Sequence, residues 1–177
     1  MKNFMIRKFN AFDTFYEYKV NISDDVIKQI KIIFAAANGK DDQLTTFFHL
    51  NILNLPVLKS LRDEIINILN EHKISLTNSW AQLYNKKDRH SVHVHQESKL
   101  SGIIYLSDNC TSTSFYDRVC NSYEHIPVKN TLLLFPSYVP HEVQPLKQDE
   151  DRLIISFNTA NQVSASSGTK GSQVNLG

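Results

Sequence analysis

The chain has 177 residues, 41% of them hydrophobic, which suits one domain-sized core and is short for two. Nineteen Lys and Arg against eighteen Asp and Glu leave a net charge of +1, so no bulk field draws the protein to nucleic acid or anionic lipid, and its partners must be argued from a local site. Two cysteines, Cys110 and Cys120, are too few for a disulfide framework and fit free thiols in a reducing cytoplasm.

In chain order, Met1 to Phe15 interrupts its apolar residues with Lys8, Asn10 and Asp13, so it lacks the core of a secretion signal. No stretch approaches transmembrane length, and the expected location is the cytoplasm. Ser23 followed by Asp24 and Asp25 reads as an N-cap with an acidic first turn. Val26, Ile27, Ile30, Ile33, Phe34 and Ala37 then recur at helical spacing, which predicts a helix over 23–38 stopped by Asn38-Gly39. Pro56 opens a second helix over 56–72, with Leu58, Leu61, Ile65, Ile68 and Leu69 on one stripe.

From Ile74 the pattern changes to short period-two segments rich in β-branched and aromatic residues. They predict strands near 76–85, 90–95, 100–106, 112–117, 131–135, 141–146 and 152–158. Helices before strands disfavour a doubly wound fold and give an α+β, mainly β architecture: a double-stranded β-helix (jelly roll) with two flanking N-terminal helices. One domain is expected over 1–163, with the jelly-roll core at about 74–160. Ser164 to Gly177 has little that can bury and is expected to be a disordered tail.

Strand alternation puts Val92 and Val94 on one face and His93 and His95 on the other, where two imidazoles two positions apart can share a metal ion. A lone His-x-His is equally often a surface pair, so context decides. Leu132 to Phe135 run through Pro136 and Pro140 to His141, a third ligand candidate at the start of a strand. Arg152, Ile154, Ser156 and Asn158 share a face in the following strand. An arginine aimed into a sheet interior requires an anion, unless it is an edge residue paired with Asp149, Glu150 or Asp151. His49, His72, His90 and His125 read as surface or core histidines.

From about Trp80 to Asn158 the sequence resembles the 2-oxoglutarate and Fe(II) dependent oxygenases, in particular small families found in bacteria and their viruses. The resemblance is carried, in order, by His93-Val94-His95, by Ser101-Gly102-Ile103-Ile104-Tyr105-Leu106, by Leu134-Phe135-Pro136-Ser137 leading to His141, and by Arg152 to Asn158. It implies an iron held by a His-x-Asp or His-x-Glu pair and a distal histidine, with a following arginine on the far carboxylate of 2-oxoglutarate. Arg152 comes eleven positions after His141 and takes that place. Tyr105, which would share a face with Ser101 and Ile103, is implied as a hydroxyl donor to the cosubstrate, and Ser156 goes with Arg152 to the same site.

This chain departs from the family pattern at the carboxylate. Three ligand sets stay open: His93, His95 and His141, the preferred one; His95, Glu97 and His141; or a set that recruits Asp117. The implied activity is hydroxylation of a small-molecule or peptidyl substrate, coupled to decarboxylation of 2-oxoglutarate to succinate and CO₂. Two rivals are a three-histidine, cupin-like dioxygenase without 2-oxoglutarate and a non-enzymatic jelly-roll binding module.

Overall fold

The computed structural model describes residues 4–8, 13–37, 44–47, 50–85, 87–108, 110–146 and 151–162. Among them the chain is mainly β, with two α-helices and two antiparallel sheets. The strands are β1 (Phe4–Lys8), β2 (Thr14–Lys19), β3 (Leu44–Thr45), β4 (Ile74–Tyr84), β5 (His90–His93), β6 (Leu100–Tyr105), β7 (Thr113–Tyr116), β8 (Ser122–His125), β9 (Thr131–Pro136), β10 (His141–Val143) and β11 (Arg152–Asn161). A seven-stranded sheet runs β1-β2-β9-β6-β11-β4-β3, and a four-stranded sheet runs β5-β10-β7-β8.

Helix α1 (Asp24–Ala37) starts where the sequence signals it. The Val26 N–H donates to Ser23 Oγ, and Ile27, Ile30 and Phe34 are buried. The expected stop at Asn38-Gly39 lies outside the described residues. Helix α2 (Lys59–Glu71) is one turn shorter than expected, because Pro56–Leu58 forms a tighter 3₁₀ turn before it. Leu61, Ile65, Ile68 and Leu69 are buried and join α1 residues, Ala81, Ile104, Leu132, Leu134, Leu153, Ile155 and Phe157 in one cluster on the outer face of the large sheet.

A second cluster lies between the sheets and includes Phe15, Phe115, Phe135, Val139 and Val143, with Ile103, Tyr105 and Ile154 continuing it toward Arg152. The Phe15 and Phe115 rings meet edge-on at 4.9 Å, as do Phe115 and Phe135.

Three strand expectations need correction. The helices do not precede all strands: β1 and β2 come first, and β2 enters the large sheet beside β9, with Tyr16 opposite Leu134. Its residues alternate as a strand should, Phe15 entering the inter-sheet core while Tyr16 and Tyr18 pack on the helix side. The strand expected at 90–95 ends at His93, because the His95 N–H leaves the ladder and donates to the Ser137 carbonyl at 2.8 Å. The strand expected at 141–146 ends at Val143, and the Leu146 N–H goes to the Asp88 carbonyl. β3 and β8 are further strands that periodicity alone did not announce.

Cys110 is buried and Cys120 exposed, and neither forms a disulfide. Among the described residues no helix is long and apolar enough to cross a membrane. The expected tail, 164–177, lies outside the described residues.

Candidate functional site

His93 and His141 are direct cross-strand partners in the small sheet, which fixes their side chains as neighbours. His95, two residues past the end of β5, is returned to them by its bond to Ser137. The ring centroids lie 4.2 Å apart for His93 and His141, 5.2 Å for His93 and His95, and 5.3 Å for His95 and His141. One ligand nitrogen from each lies within 4.8 Å of the others, and these three form a group able to hold a metal ion.

The backbone around them sets which nitrogen is offered. His93 Nδ1 is 2.8 Å from the Ser91 carbonyl and His141 Nδ1 is 3.0 Å from the Val139 carbonyl. A carbonyl only accepts, so each Nδ1 carries the hydrogen and each Nε2 presents its lone pair. His141 is also wedged between Phe115 and Phe135, with ring centroids at 5.7 and 4.8 Å. Burial holds its pKa well below the usual histidine value, with the nearby His93 acting in the same direction. Burial, then the neighbouring His93, lowers His95 to about 4; burial also lowers His93, opposed by the Ser91 carbonyl. At neutral pH the three rings are therefore neutral, the form that binds metal without first losing a proton.

Arg152 supplies the second half of the site. It opens β11 opposite Tyr84 of β4 and is fully buried, at 0% exposure. Its Nη2 donates to Thr113 Oγ1 at 2.6 Å, and its guanidinium lies 5.1 Å from the Tyr84 ring centroid and 5.6 Å from that of Tyr105. Among the described residues, Nε and Nη1 are buried without a hydrogen-bond partner. Among the described residues no carboxylate pairs with it, Asp149 and Glu150 lie outside them, and its full burial makes it an interior cation rather than an edge residue. Each buried N–H left unpaired costs about 1–3 kcal/mol, a penalty that an incoming carboxylate would relieve with charge-assisted bonds.

The histidines and Arg152 line one cavity of about 30 Å³, with Ser156, Gln82, Trp80, Tyr84 and Thr113 also in its wall. Tyr105 sits behind that wall. It is fully buried, its hydroxyl is 3.0 Å from Thr113 Oγ1, and burial pushes its pKa up to about 12. Glu97 is exposed and borders an outer groove with His95, outside the three-histidine group. Asp117 accepts from the Val119 and Asn121 backbone N–H groups and from the Asn121 side chain, closing a local turn, and is not in the three-histidine group.

Of the four histidines set aside, His72 bonds to the Tyr18 hydroxyl at 2.7 Å, His125 is buried against Tyr105, and His49 lies outside the described residues. His90 corrects the expectation: it lines the cavity and stacks on His93 at 4.0 Å. Thr113, Tyr84, Gln82 and Trp80 were also missed. The last three share the Arg152 face through the pairings Arg152 with Tyr84, Ile154 with Gln82 and Ser156 with Trp80. Period two along 80–84 groups them, but only the register ties that group to Arg152.

No protein-family model and no curated protein matches the chain. Solved structures do. A prolyl hydroxylase from Trichoplax adhaerens, in complex with a hypoxia inducible factor oxygen degradation domain peptide fragment, aligns over 81% of this chain and 82% of its own with a TM-score of 0.63 and 15% identity. HygX from Streptomyces hygroscopicus, with nickel, 2-oxoglutarate and hygromycin B bound, aligns over 84% and 83% at a TM-score of 0.63 and 10% identity. An oxidoreductase of the 2OG-Fe(II) oxygenase family from Burkholderia pseudomallei aligns over 90% and 73% at 0.53 and 12%. At these identities the likeness is one of fold: the chain has the architecture of structures from the 2OG-Fe(II) oxygenase family.

Proposed function

We propose that the chain is an Fe(II) and 2-oxoglutarate dependent oxygenase on a double-stranded β-helix, a hydroxylase acting on a small-molecule or peptidyl substrate in the cytoplasm. The carrying observation is Arg152, a fully buried guanidinium with two donor nitrogens unpaired among the described residues, in the same cavity as three converging neutral imidazoles. That pairing fits a metal ion beside an organic dianion, and neither partner alone accounts for it. The shared fold with HygX, whose structures hold iron in one case and nickel with 2-oxoglutarate in another, supports the same pairing.

His93, His95 and His141 would hold the iron through nitrogen, an imidazole replacing the carboxylate common in such sites. Bound iron with 2-oxoglutarate supplies the oxidising power. The protein supplies the rest. Arg152 clasps the far carboxylate, and Thr113, tied to both Arg152 Nη2 and the Tyr105 hydroxyl, fixes the direction of the fork. Ser156 offers a hydroxyl on the same wall. Phe115 and Phe135 pack against His141 and keep water from its inner side. We read the domain as 1–163.

A decisive test adds Fe(II) and 2-oxoglutarate without oxygen and looks for a visible metal-to-ligand charge-transfer band. The band should form, vanish in Arg152→Ala and His141→Ala, and survive in Glu97→Ala; succinate should appear once oxygen is admitted. No band and no succinate in the wild type would defeat the proposal. The all-histidine donor set favours one second reading, a dioxygenase that uses no 2-oxoglutarate, and metal-dependent oxygen uptake without succinate would select it.

A further inference from the structure

The pairing of β5 with β10 is irregular at the site. His141 faces His93 and Val143 faces His90, so β5 spends three steps where β10 spends two. An extra residue on one strand is a β-bulge, and bulges re-aim side chains. In a regular strand, positions 90 and 93 point to opposite faces. Here the bulge turns both rings into one cavity, where they stack with centroids 4.0 Å apart and planes 15° apart. On its other side His90 Nδ1 shares a 3.1 Å hydrogen bond with the Tyr84 hydroxyl, and the Tyr84 ring lies against the Arg152 guanidinium. Arg152, Tyr84, His90 and His93 thus form a continuous chain from the anion end of the cavity to the metal end.

We infer that His90 is a positioning residue: anchored by Tyr84, its ring clamps the face of His93 and holds that imidazole at the metal site. The inference rests on the oxygenase reading for its purpose, though the clamp itself is a property of the metal-free chain. His90 is not in the group of three nitrogens able to meet at one ion, which separates it from the ligands. Its removal should act like the loss of a support behind a metal ligand, about 10-fold or more in metal affinity.

Two readouts test this on the full chain with His90→Ala, His90→Phe, Tyr84→Phe and the double variant Tyr84→Phe/His90→Ala. The first is ¹⁵N NMR of the imidazoles without metal. Wild-type His93 should show a single tautomer protonated at Nδ1; His90→Ala should give a tautomer mixture, and His90→Phe, which keeps a ring to stack, should stay close to wild type. The second is Ni(II) titration without 2-oxoglutarate. Affinity should fall about 10-fold or more in His90→Ala, less in Tyr84→Phe, and no further in the double variant, because Tyr84 acts through His90. An unchanged His93 spectrum and an unchanged affinity in His90→Ala would make His90 a passive wall. Equal damage in His90→Phe and His90→Ala, with His90 Nε2 shifting when Ni(II) is added, would make it a ligand instead. A wild type that binds no Ni(II) defeats the oxygenase reading, and the metal-free spectra then still decide the clamp.

Discussion

The two faces of the large sheet are built from alternate residues of the same strands, yet they follow opposite rules. On β11, Leu153, Ile155 and Phe157 enter the helix-side core, while Arg152, Ile154 and Ser156 face the small sheet. On β4 the helix side has Ala81 and Leu83, the other side Trp80, Gln82 and Tyr84. The helix side is mostly apolar, its buried Ser79 bonded to the Leu53 N–H and the Asn51 side chain, and each fully buried Leu, Ile or Phe contributes about 1.5–3 kcal/mol. The inner side tolerates a cation with unpaired donors and several neutral histidines, groups that burial opposes. Strand periodicity lets one element carry stability and chemistry at once, with a single residue step between Arg152 and Leu153.

That division can be broken by substitution, ranked here by the stability lost from the metal-free protein. Phe34→Ala, in α1 on the helix side, should cost about 3–5 kcal/mol in denaturant unfolding. The folded variant should keep wild-type Ni(II) affinity, and a parallel fall in affinity would mean that the two faces are not separable. Gly102→Ala should cost about 1–3 kcal/mol by overpacking. Gly102 pairs with Phe157 across β6 and β11, and a Cβ there would stand 2.1–2.5 Å from carbons of the Phe157 ring. Phe157 also borders the cavity, so this variant should weaken 2-oxoglutarate binding as well, which the charge-transfer titration would report.

How much of this was legible in the sequence follows the same division. The helix-side core was, because α1 and α2 carry their apolar residues at helical spacing and the strands alternate cleanly. His93, His141 and Arg152 were legible as separate pieces of the candidate site, since strand parity and the Pro-bounded turn fix their directions locally, whereas His95 lies past the end of β5 and is brought in by its bond to Ser137, which parity does not encode. His90 was not: it differs from His93 by three positions, the wrong parity for a shared face, and only a bulge in the pairing with β10 brings it inward. Tyr84 and Thr113 were hidden for a related reason. Their link to Arg152 is a matter of register and sheet closure between residues 39 and 68 positions apart in the pairs Thr113–Arg152 and Arg152–Tyr84, and no local pattern encodes that.

The histidines give a graded effect on the inner side. His90 and His95 are lowered by burial from 6.5 to about 4, and His93 and His141 are lowered as well. The unfolded chain therefore binds protons that the folded chain refuses between those values, and unfolding is favoured as pH falls through the window. Metal-free stability should be full above pH 6.5 and decline toward pH 4, read as a falling melting temperature. Phe34→Ala should shift the whole curve down without changing its slope, and a flat profile in both proteins would show that the imidazoles are not buried as described.

Arg152→Met should lose least, and it sets the sharpest contrast with Phe34→Ala. The substitution removes a buried cation whose Nε and Nη1 have no partners among the described residues and replaces it with an apolar side chain of similar length. Exchanging buried ions for apolar groups is often neutral or stabilising, so the metal-free protein should unfold within about 1 kcal/mol of wild type or at higher denaturant. Ni(II) affinity without 2-oxoglutarate should hold, because Arg152 touches none of the three histidine ligands directly, while 2-oxoglutarate binding should disappear. A large loss of stability would show that Arg152 is held by the fold for structural reasons, through Thr113 and the flanking tyrosine rings. Retained stability with lost 2-oxoglutarate binding would show that the cation is maintained for its ligand, against the interest of the fold.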